Sequence, residues 1–201
     1  MLIAGLTGGM ACGKSLVARA FGQLGCHIIE ADELGHEVML RDGEAWREVV
    51  AAFGPDILNP EGDIDRAVVA ARVFDSPADL ERLNAIVHPA VRARARQRMD
   101  AVAATDPHAI VIYVAAILIE SGHYREVDKI IVVACPREQQ IERSLERPGA
   151  TLPGVLARLD AQMPLEQKRA YADYLIDTGG TKEDTLRQTE VVYQDLRRLA
   201  G

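Results

Sequence analysis

The chain has 201 residues, 48% of them hydrophobic and 26% charged, with a formal net charge of −7. This length suits one domain with room for a small insertion, foldable without disulfides or metal. The composition excludes wholesale disorder, a collagen-like chain and a disulfide scaffold. The acidic balance makes nucleic acid a poor partner, and the longest apolar stretch, residues 109–119, falls far short of the roughly 20 residues of a membrane span.

Leu2 to Leu6 is a short apolar run ending at glycines, the pattern of a buried strand. From Gly13 to Leu24 apolar residues recur at Leu16, Val17, Ala20, Phe21 and Leu24, which predicts a helix. His27 to Glu30 predicts a second strand. Strand, Gly-rich turn, helix and strand form a βαβ opening and argue for a parallel sheet. Between Asp32 and Met99 only helices are predicted, over residues 33–40, 44–53, 66–73 and 77–87. Turn chemistry separates the earlier ones at Asp42-Gly43, Gly54-Pro55 and residues 59–63. His88-Pro89 predicts the start of a further helix over 90–103, with proline in its first turn. That much helix exceeds a normal crossover and implies an inserted subdomain.

Runs rich in Val and Ile over 109–119 and 129–134 predict strands buried on both faces. A helix over 137–146, a breaker-rich loop from Arg147 to Gly154 and a helix over 155–162 follow. A short strand over 174–176 and a terminal helix over 181–199 complete the chain. Cys12, Cys26 and Cys135 are odd in number and lack metal-ligand spacing, which fits a reducing compartment. The opening MLIAGLTGG reads as a core strand, not a signal peptide, so a cytoplasmic protein is expected.

Residues Gly8-Gly-Met-Ala-Cys-Gly-Lys-Ser15 match G-x-x-x-x-G-K-[ST] between a predicted strand and a predicted helix. Gly8 and Gly13 permit backbone angles that a β-carbon would oppose. The loop can then turn its N–H groups inward as an anion nest, assisted by the positive end of the helix dipole. Lys14 supplies charge to the β- and γ-phosphates, and Ser15 offers a hydroxyl to Mg²⁺.

Gly5 to Ser15 followed by Glu30-Ala-Asp32 resembles dephospho-CoA kinase, a family that typically reads GLTGGIGSGKS and then a strand ending D-A-D. His88-Pro89 resembles the family's H-P, and Leu118-Ile119-Glu120 the end of its P-L-L-x-E segment. Gln139 and Arg143 sit like its Q-x-x-x-R, Arg158 to Gln162 like its R-x-x-x-Q, and Ala172-Asp173 with Ile176 like its A-D-x-x-I. The similarity spans about residues 2–195. There are departures: Ala11-Cys12 replace Gly-Ser, Leu16 replaces a common Thr, and Ala115-Ala116-Ile117 stands where a proline-leucine pair is usual. Thr178-Gly179-Gly180 replaces an asparagine-containing turn near the adenine.

The resemblance implies phosphorylation of the ribose 3′-hydroxyl of dephospho-CoA by ATP with Mg²⁺. It implies an α/β fold: a P-loop NTPase-type parallel sheet flanked by helices, with a helical substrate-binding insertion and a lid. The expected core is 1–32, 107–142 and 163–201, the insertion about 33–106 and the lid about 143–162. Gly8, Gly9, Ala11, Cys12, Gly13, Lys14, Ser15, Leu16 and Arg147 are expected at the nucleotide, with Ser15 at the metal. Asp32, Lys14 and Arg143 are the expected catalytic set, and Asp32, His88 and Glu120 are expected at the acceptor.

Each residue also has a plainer reading. Asp32 can take or orient the hydroxyl proton, or hold Mg²⁺ through water, or cap a helix starting at Glu33. Arg143 and Arg147 can neutralise transition-state charge; Arg143 can instead belong to a solvated face with Glu138, Glu142 and Glu146. His88 can contact substrate or cap a helix, and Glu120 can orient substrate or pair with an arginine. Arg158 and Gln162 can order the lid. Cys12 lies where a thiolate is favoured but reads more simply as a small loop filler, and Trp46 as core. A nucleoside monophosphate kinase would share loop, insertion and lid. A GTP switch usually carries N-K-x-D, which is absent here, and a binding module without catalysis is a further alternative. The expected partner is a small molecule, without nucleic acid or membrane, on a monomer or weak homo-oligomer.

Overall fold

A computed structural model describes residues 1–74 and 76–201. The chain divides into two compact units, Met1–Ile29 with Val102–Gly201, and Glu30–Ala101. The first unit is built on a sheet whose strands are β1 (Leu2–Gly8), β2 (His27–Glu30), β3 (Ile110–Val114), β4 (Lys129–Ala134) and β5 (Tyr174–Asp177). Their order is β2-β3-β1-β4-β5. β1 pairs in parallel with β3 and β4, and β4 with β5. All of β3 is buried, as are all but one residue of β1 and of β4. Continuous Val/Ile runs such as IVIYV meet that demand because both sheet faces are covered.

Helix α1 (Lys14–Gln23) and the C-terminal helix, here α9 (Lys182–Ala200), pack against each other and cover the sheet. Val17, Ala18 and Phe21 of α1 and Val192 and Leu196 of α9 enter one core with Leu6, Ile112, Ile131 and Ile176. α6 (Arg137–Leu145), α7 (Leu152–Asp160) and α8 (Leu165–Arg169) lie between β4 and β5 in the chain. The chain passes from β1 to β2 at one edge and later from β3 across to β4 on the other side of β1. A strand-order reversal of this kind places a ligand crevice at the carboxyl ends of the central strands.

The second unit is helical, with α2 (Ala31–Val38), α3 (Trp46–Phe53), α4 (Arg66–Phe74) and most of α5 (Pro77–Thr105). Leu34, Val38, Val49, Phe53, Ile57, Val69 and Val91 are buried. Two arginines one helical turn apart on α5 reach carboxylates: Arg94 to Glu44 at 2.7 Å and Arg98 to Glu37 at 2.6 Å. The 59–63 turn closes on itself, with Asn59 N–H to Asp63 O at 2.9 Å, and sets Leu58 and Ile64 in a single antiparallel bridge.

Three expectations from local pattern require correction. His88-Pro89 does not open a helix, because α5 runs unbroken from Pro77 to Thr105 with Pro89 inside it. Pro89 denies the Ala85 carbonyl its helical donor, but Ala85 is exposed, so water can take the donor's place. The breakers Pro153 and Gly154 do not belong to a loop; they form the first turn of α7, where a missing proline N–H costs nothing. Thr151 caps that turn by accepting from the Gly154 N–H at 3.3 Å. The apolar run at 109–119 is a strand only to Val114, and its remainder leaves the sheet. Among the described residues no helix is long and apolar enough to cross a membrane.

Candidate functional site

β1 delivers the chain into the loop at Gly8, whose φ is 154°. A β-carbon there would lie 2.2 Å from the Val133 carbonyl oxygen of β4, so only glycine fits between the two central strands. Gly13 ends the loop as the N-cap of α1 in the left-handed region (φ 78°, ψ 22°). No side chain caps α1, and its first turn holds no acidic residue. The orphan amides and positive dipole of this helix end are therefore left to an external anion. Lys14 Nζ donates to the Gly8 and Gly9 carbonyls at 3.2 and 3.0 Å, which places its charge over the loop. Ser15 is exposed in the first turn, and Leu16 beside it is half-buried. These groups fit a nucleotide triphosphate, with the Ser15 hydroxyl as the group able to meet Mg²⁺.

Ala11 also has a positive φ, 57°. The alanine that replaces glycine here therefore sits in a strained conformation. Cys12 is fully buried, and the Cys135 thiol approaches its Sγ at 3.1 Å. Burial first, and Cys135 second, push the Cys12 thiol up to about 12. The helix start thus yields no reactive thiolate, and Cys12 serves as packing.

The end of β5 meets the loop from the other side. The Thr178 hydroxyl donates to the Cys12 carbonyl at 2.9 Å. Arg143 Nη2 donates to the Thr178 carbonyl at 2.8 Å and to Gln139 Oε1 at 2.9 Å, and Gln139 Nε2 donates to the Gly179 carbonyl at 3.0 Å. Arg143 is thus half-buried against the turn after β5, not on a fully solvated face. Arg147 lies exposed in the turn beyond α6. Gln140, absent from the sequence-based candidates, is buried beside Gly9 and donates to the Cys135 carbonyl at 3.3 Å. Its only sequence signal is that Gln140, like Gln139, lies within one helical turn of Arg143.

Glu120 is paired, but with a lysine. Its Oε1 meets Lys168 Nζ at 2.9 Å, and Lys168 is fully buried. Lys168 also donates to the Ala116 carbonyl at 2.7 Å, and Thr7 Oγ1 reaches the same carbonyl at 3.2 Å. Two donors therefore hold the backbone at Ala116. Breaking such a pair by removing one partner typically costs about 3–5 kcal/mol. An open cavity of about 370 Å³ adjoins the loop, lined by Gly9, Cys135, Gln140, Leu159, Met163 and Arg169, among others. That is within the range of small-molecule pockets.

Asp32 and His88 belong to the second unit. Asp32 is exposed in the first turn of α2, which begins at Ala31 with Glu30 as N-cap, so Asp32 does not cap a helix starting at Glu33. An acidic group there is favoured by the helix dipole. Burial, together with the nearby Glu33 and Asp32 carboxylates, holds the Glu30 carboxyl above its ordinary range. His88 is half-buried in mid-helix; burial and then Arg92 lower its pKa, so its imidazole is neutral at pH 7.

The family model described as dephospho-CoA kinase matches residues 2–184. A dephospho-CoA kinase of Geobacter metallireducens is 44% identical over 195 residues, covering 97% of this chain and 96% of the relative. A crystal structure of a Thermus thermophilus protein is 31% identical with a TM-score of 0.82, and 97% of each chain is covered. Dephospho-CoA kinase from Campylobacter jejuni is 26% identical with a TM-score of 0.74, covering 98% of this chain and 97% of that one. The match thus runs along nearly the whole length of the chain, which belongs to the dephospho-CoA kinase family.

Proposed function

We propose that the protein transfers the γ-phosphoryl group of ATP to the ribose 3′-hydroxyl of dephospho-CoA, giving CoA and ADP. The observation that carries this reading is the loop at residues 8–15, with its uncapped helix start and overlying lysine, in a chain of this family. Gly8, Gly9, Ala11, Cys12 and Gly13 shape the cradle, and the amides at Lys14 and Ser15 continue it into α1 beside Leu16, whose own N–H donates to the Gly13 carbonyl at 3.0 Å. Lys14 leaves the loop carbonyls for the phosphates. Ser15 holds Mg²⁺, which when bound offsets charge on the transferring group.

Asp32 orients the attacking hydroxyl and accepts its proton. Little proton removal is needed early in a loose transition state, so orientation is its main contribution. Arg143 commits Nη2 to the turn after β5 and offers its remaining guanidinium nitrogens to the phosphoryl oxygens, and Arg147 closes from the lid, about 143–162. The insertion, about 33–106, receives the acceptor. His88 serves it there as a neutral hydrogen-bonding group, and Glu120 serves it through the carboxylate oxygen not held by Lys168. The protein works as a monomer or weak homo-oligomer in the cytoplasm; three unbridged cysteines support a reducing compartment.

The test is an acceptor panel. Purified protein with ATP and Mg²⁺ should release ADP with dephospho-CoA and yield a product heavier by one phosphate on the ribose. Turnover of a nucleoside monophosphate without turnover of dephospho-CoA would overturn the reading. In the same assay Asp32→Asn should lower kcat by about 10²-fold or more, as for loss of a positioned base, with ATP affinity retained. A parallel loss of ATP affinity would instead make Asp32 a metal-holding group.

A further inference from the structure

We infer that Thr178 is a positioning residue for nucleotide binding, which sets the direction of a phosphate-loop amide through the Cys12–Gly13 peptide. This rests on the reading of residues 8–15 as the ATP phosphate site. Thr178 follows the last residue of β5, and its own N–H continues the ladder to the Ala134 carbonyl at 2.8 Å. Its hydroxyl has one proton and two carbonyls in reach, Cys12 at 2.9 Å and Ala134 at 3.2 Å. Ala134 O already receives the Thr178 amide, so the nearer Cys12 carbonyl takes the hydroxyl proton.

The consequence follows from peptide planarity. In a trans peptide the C=O and the following N–H point in opposite directions. With the Cys12 carbonyl drawn toward Thr178, the Gly13 N–H points away from Thr178, as one donor of the anion nest. Gly13 can hold this plane because its own φ is 78°. The Thr178 methyl and hydroxyl sit directly opposite it, 3.7–3.8 Å from where a Gly13 β-carbon would lie.

Thr178 is itself held. Its carbonyl accepts from Arg143 at 2.8 Å, and the next carbonyl, Gly179, accepts from Gln139 at 3.0 Å. The Gln139–Arg143 pair on α6 thus reaches the loop through Thr178. Thr178 is buried, so water does not compete for the bond. Without the hydroxyl the Cys12 carbonyl loses a donor inside the protein, and the peptide is free to rotate its N–H out of the nest.

Thr178→Val removes the hydroxyl and keeps the shape; Thr178→Ser keeps the hydroxyl and removes the methyl. For Val we expect KM for ATP and Kd for MgADP, measured by calorimetry, to rise about tenfold, as for loss of one buried hydrogen bond. kcat and KM for dephospho-CoA should change less than threefold, and Ser should stay within twofold of wild type throughout. A structural role alone would lower the melting temperature of Val without moving nucleotide affinity; that result overturns the inference, as does equal impairment by Val and Ser. If Val fails to fold, Thr178→Ala takes its place, and wild-type MgADP affinity in Ala overturns the inference. Because MgADP binding needs no acceptor, a wild type that binds nucleotide but ignores dephospho-CoA defeats the acceptor reading alone.

Discussion

The phosphate loop and the segment after α6 both contain glycines with positive φ, but these sit in opposite surroundings. In the loop, Gly8 lies against the Val133 carbonyl, and Cys12 is gripped by Cys135 and Thr178. Gly8 and Gly13 each face a buried neighbour, Val133 and Thr178 respectively. After α6, Gly149 has a similarly positive φ of 73°, but a β-carbon there would meet nothing within 4 Å. The charges around that segment pair with each other in solvent: Arg137 reaches Asp160 at 2.9 Å with side chains 55% and 68% exposed. Such a pair contributes little to stability. Glycine therefore creates a fixed binding geometry where tertiary contacts surround it. At Gly149 no such contact holds the backbone.

The strongest way to break the comparison is at its charged centre. Lys14→Ala should lower kcat/KM for ATP by about 10³-fold, on the scale of a charge donor aimed at developing negative charge. The fold should be retained, since Lys14 is only half-buried. Circular dichroism and steady-state kinetics on one preparation check both halves, and near-normal turnover would remove the phosphate role from the loop.

Arg143 lies between the two regions, and its effect should be smaller. Arg143→Ala should lower kcat by roughly 10²-fold. Arg143→Lys should recover only part of this, because a point charge cannot serve the Thr178 carbonyl and a phosphoryl oxygen with the planar fork of a guanidinium. Full rescue by lysine would reduce the residue to a charge without geometry, and a normal rate for Arg143→Ala would leave α6 as scaffold.

The third expectation concerns motion. Amides of residues 149–160 should exchange quickly in the free protein and slow several-fold with ATP analogue and dephospho-CoA bound, while residues 8–15 change less. Hydrogen-exchange mass spectrometry reads both segments at once. Equal protection of the two in the free protein would erase the contrast.

The smallest effect tests strain inside the loop. Ala11 has a φ of 57°, a conformation that costs an L-residue about 1–2 kcal/mol. The greater chain entropy of glycine when unfolded returns part of that. Ala11→Gly should therefore gain about 0.5–1 kcal/mol and raise the melting temperature by about 2 °C. A lower melting temperature would show that the Ala11 methyl packs well enough to outweigh its backbone strain.

The sequence by itself determined what depends on neighbours along the chain. The glycines and Lys14-Ser15 of the loop, the apolar spacing of α1 and the Val/Ile runs of β3 and β4 all report local dihedrals or burial of one element, and so were legible. Tertiary structure alone decided the outcomes that local pattern leaves open. Pro89 continues a helix because the Ala85 carbonyl that it leaves unpaired reaches solvent, and Pro153-Gly154 begin one because Thr151 supplies a cap. Lys168 rather than an arginine answers Glu120 because α8 brings it, fully buried, to the Ala116 carbonyl. The bond from Thr178 to Cys12 joins residues 166 positions apart. No periodicity records such a bond, since it exists only once the β4–β5 ladder has brought the two segments together. Local composition sets which backbone shapes are available; contacts between distant segments decide which of them is held.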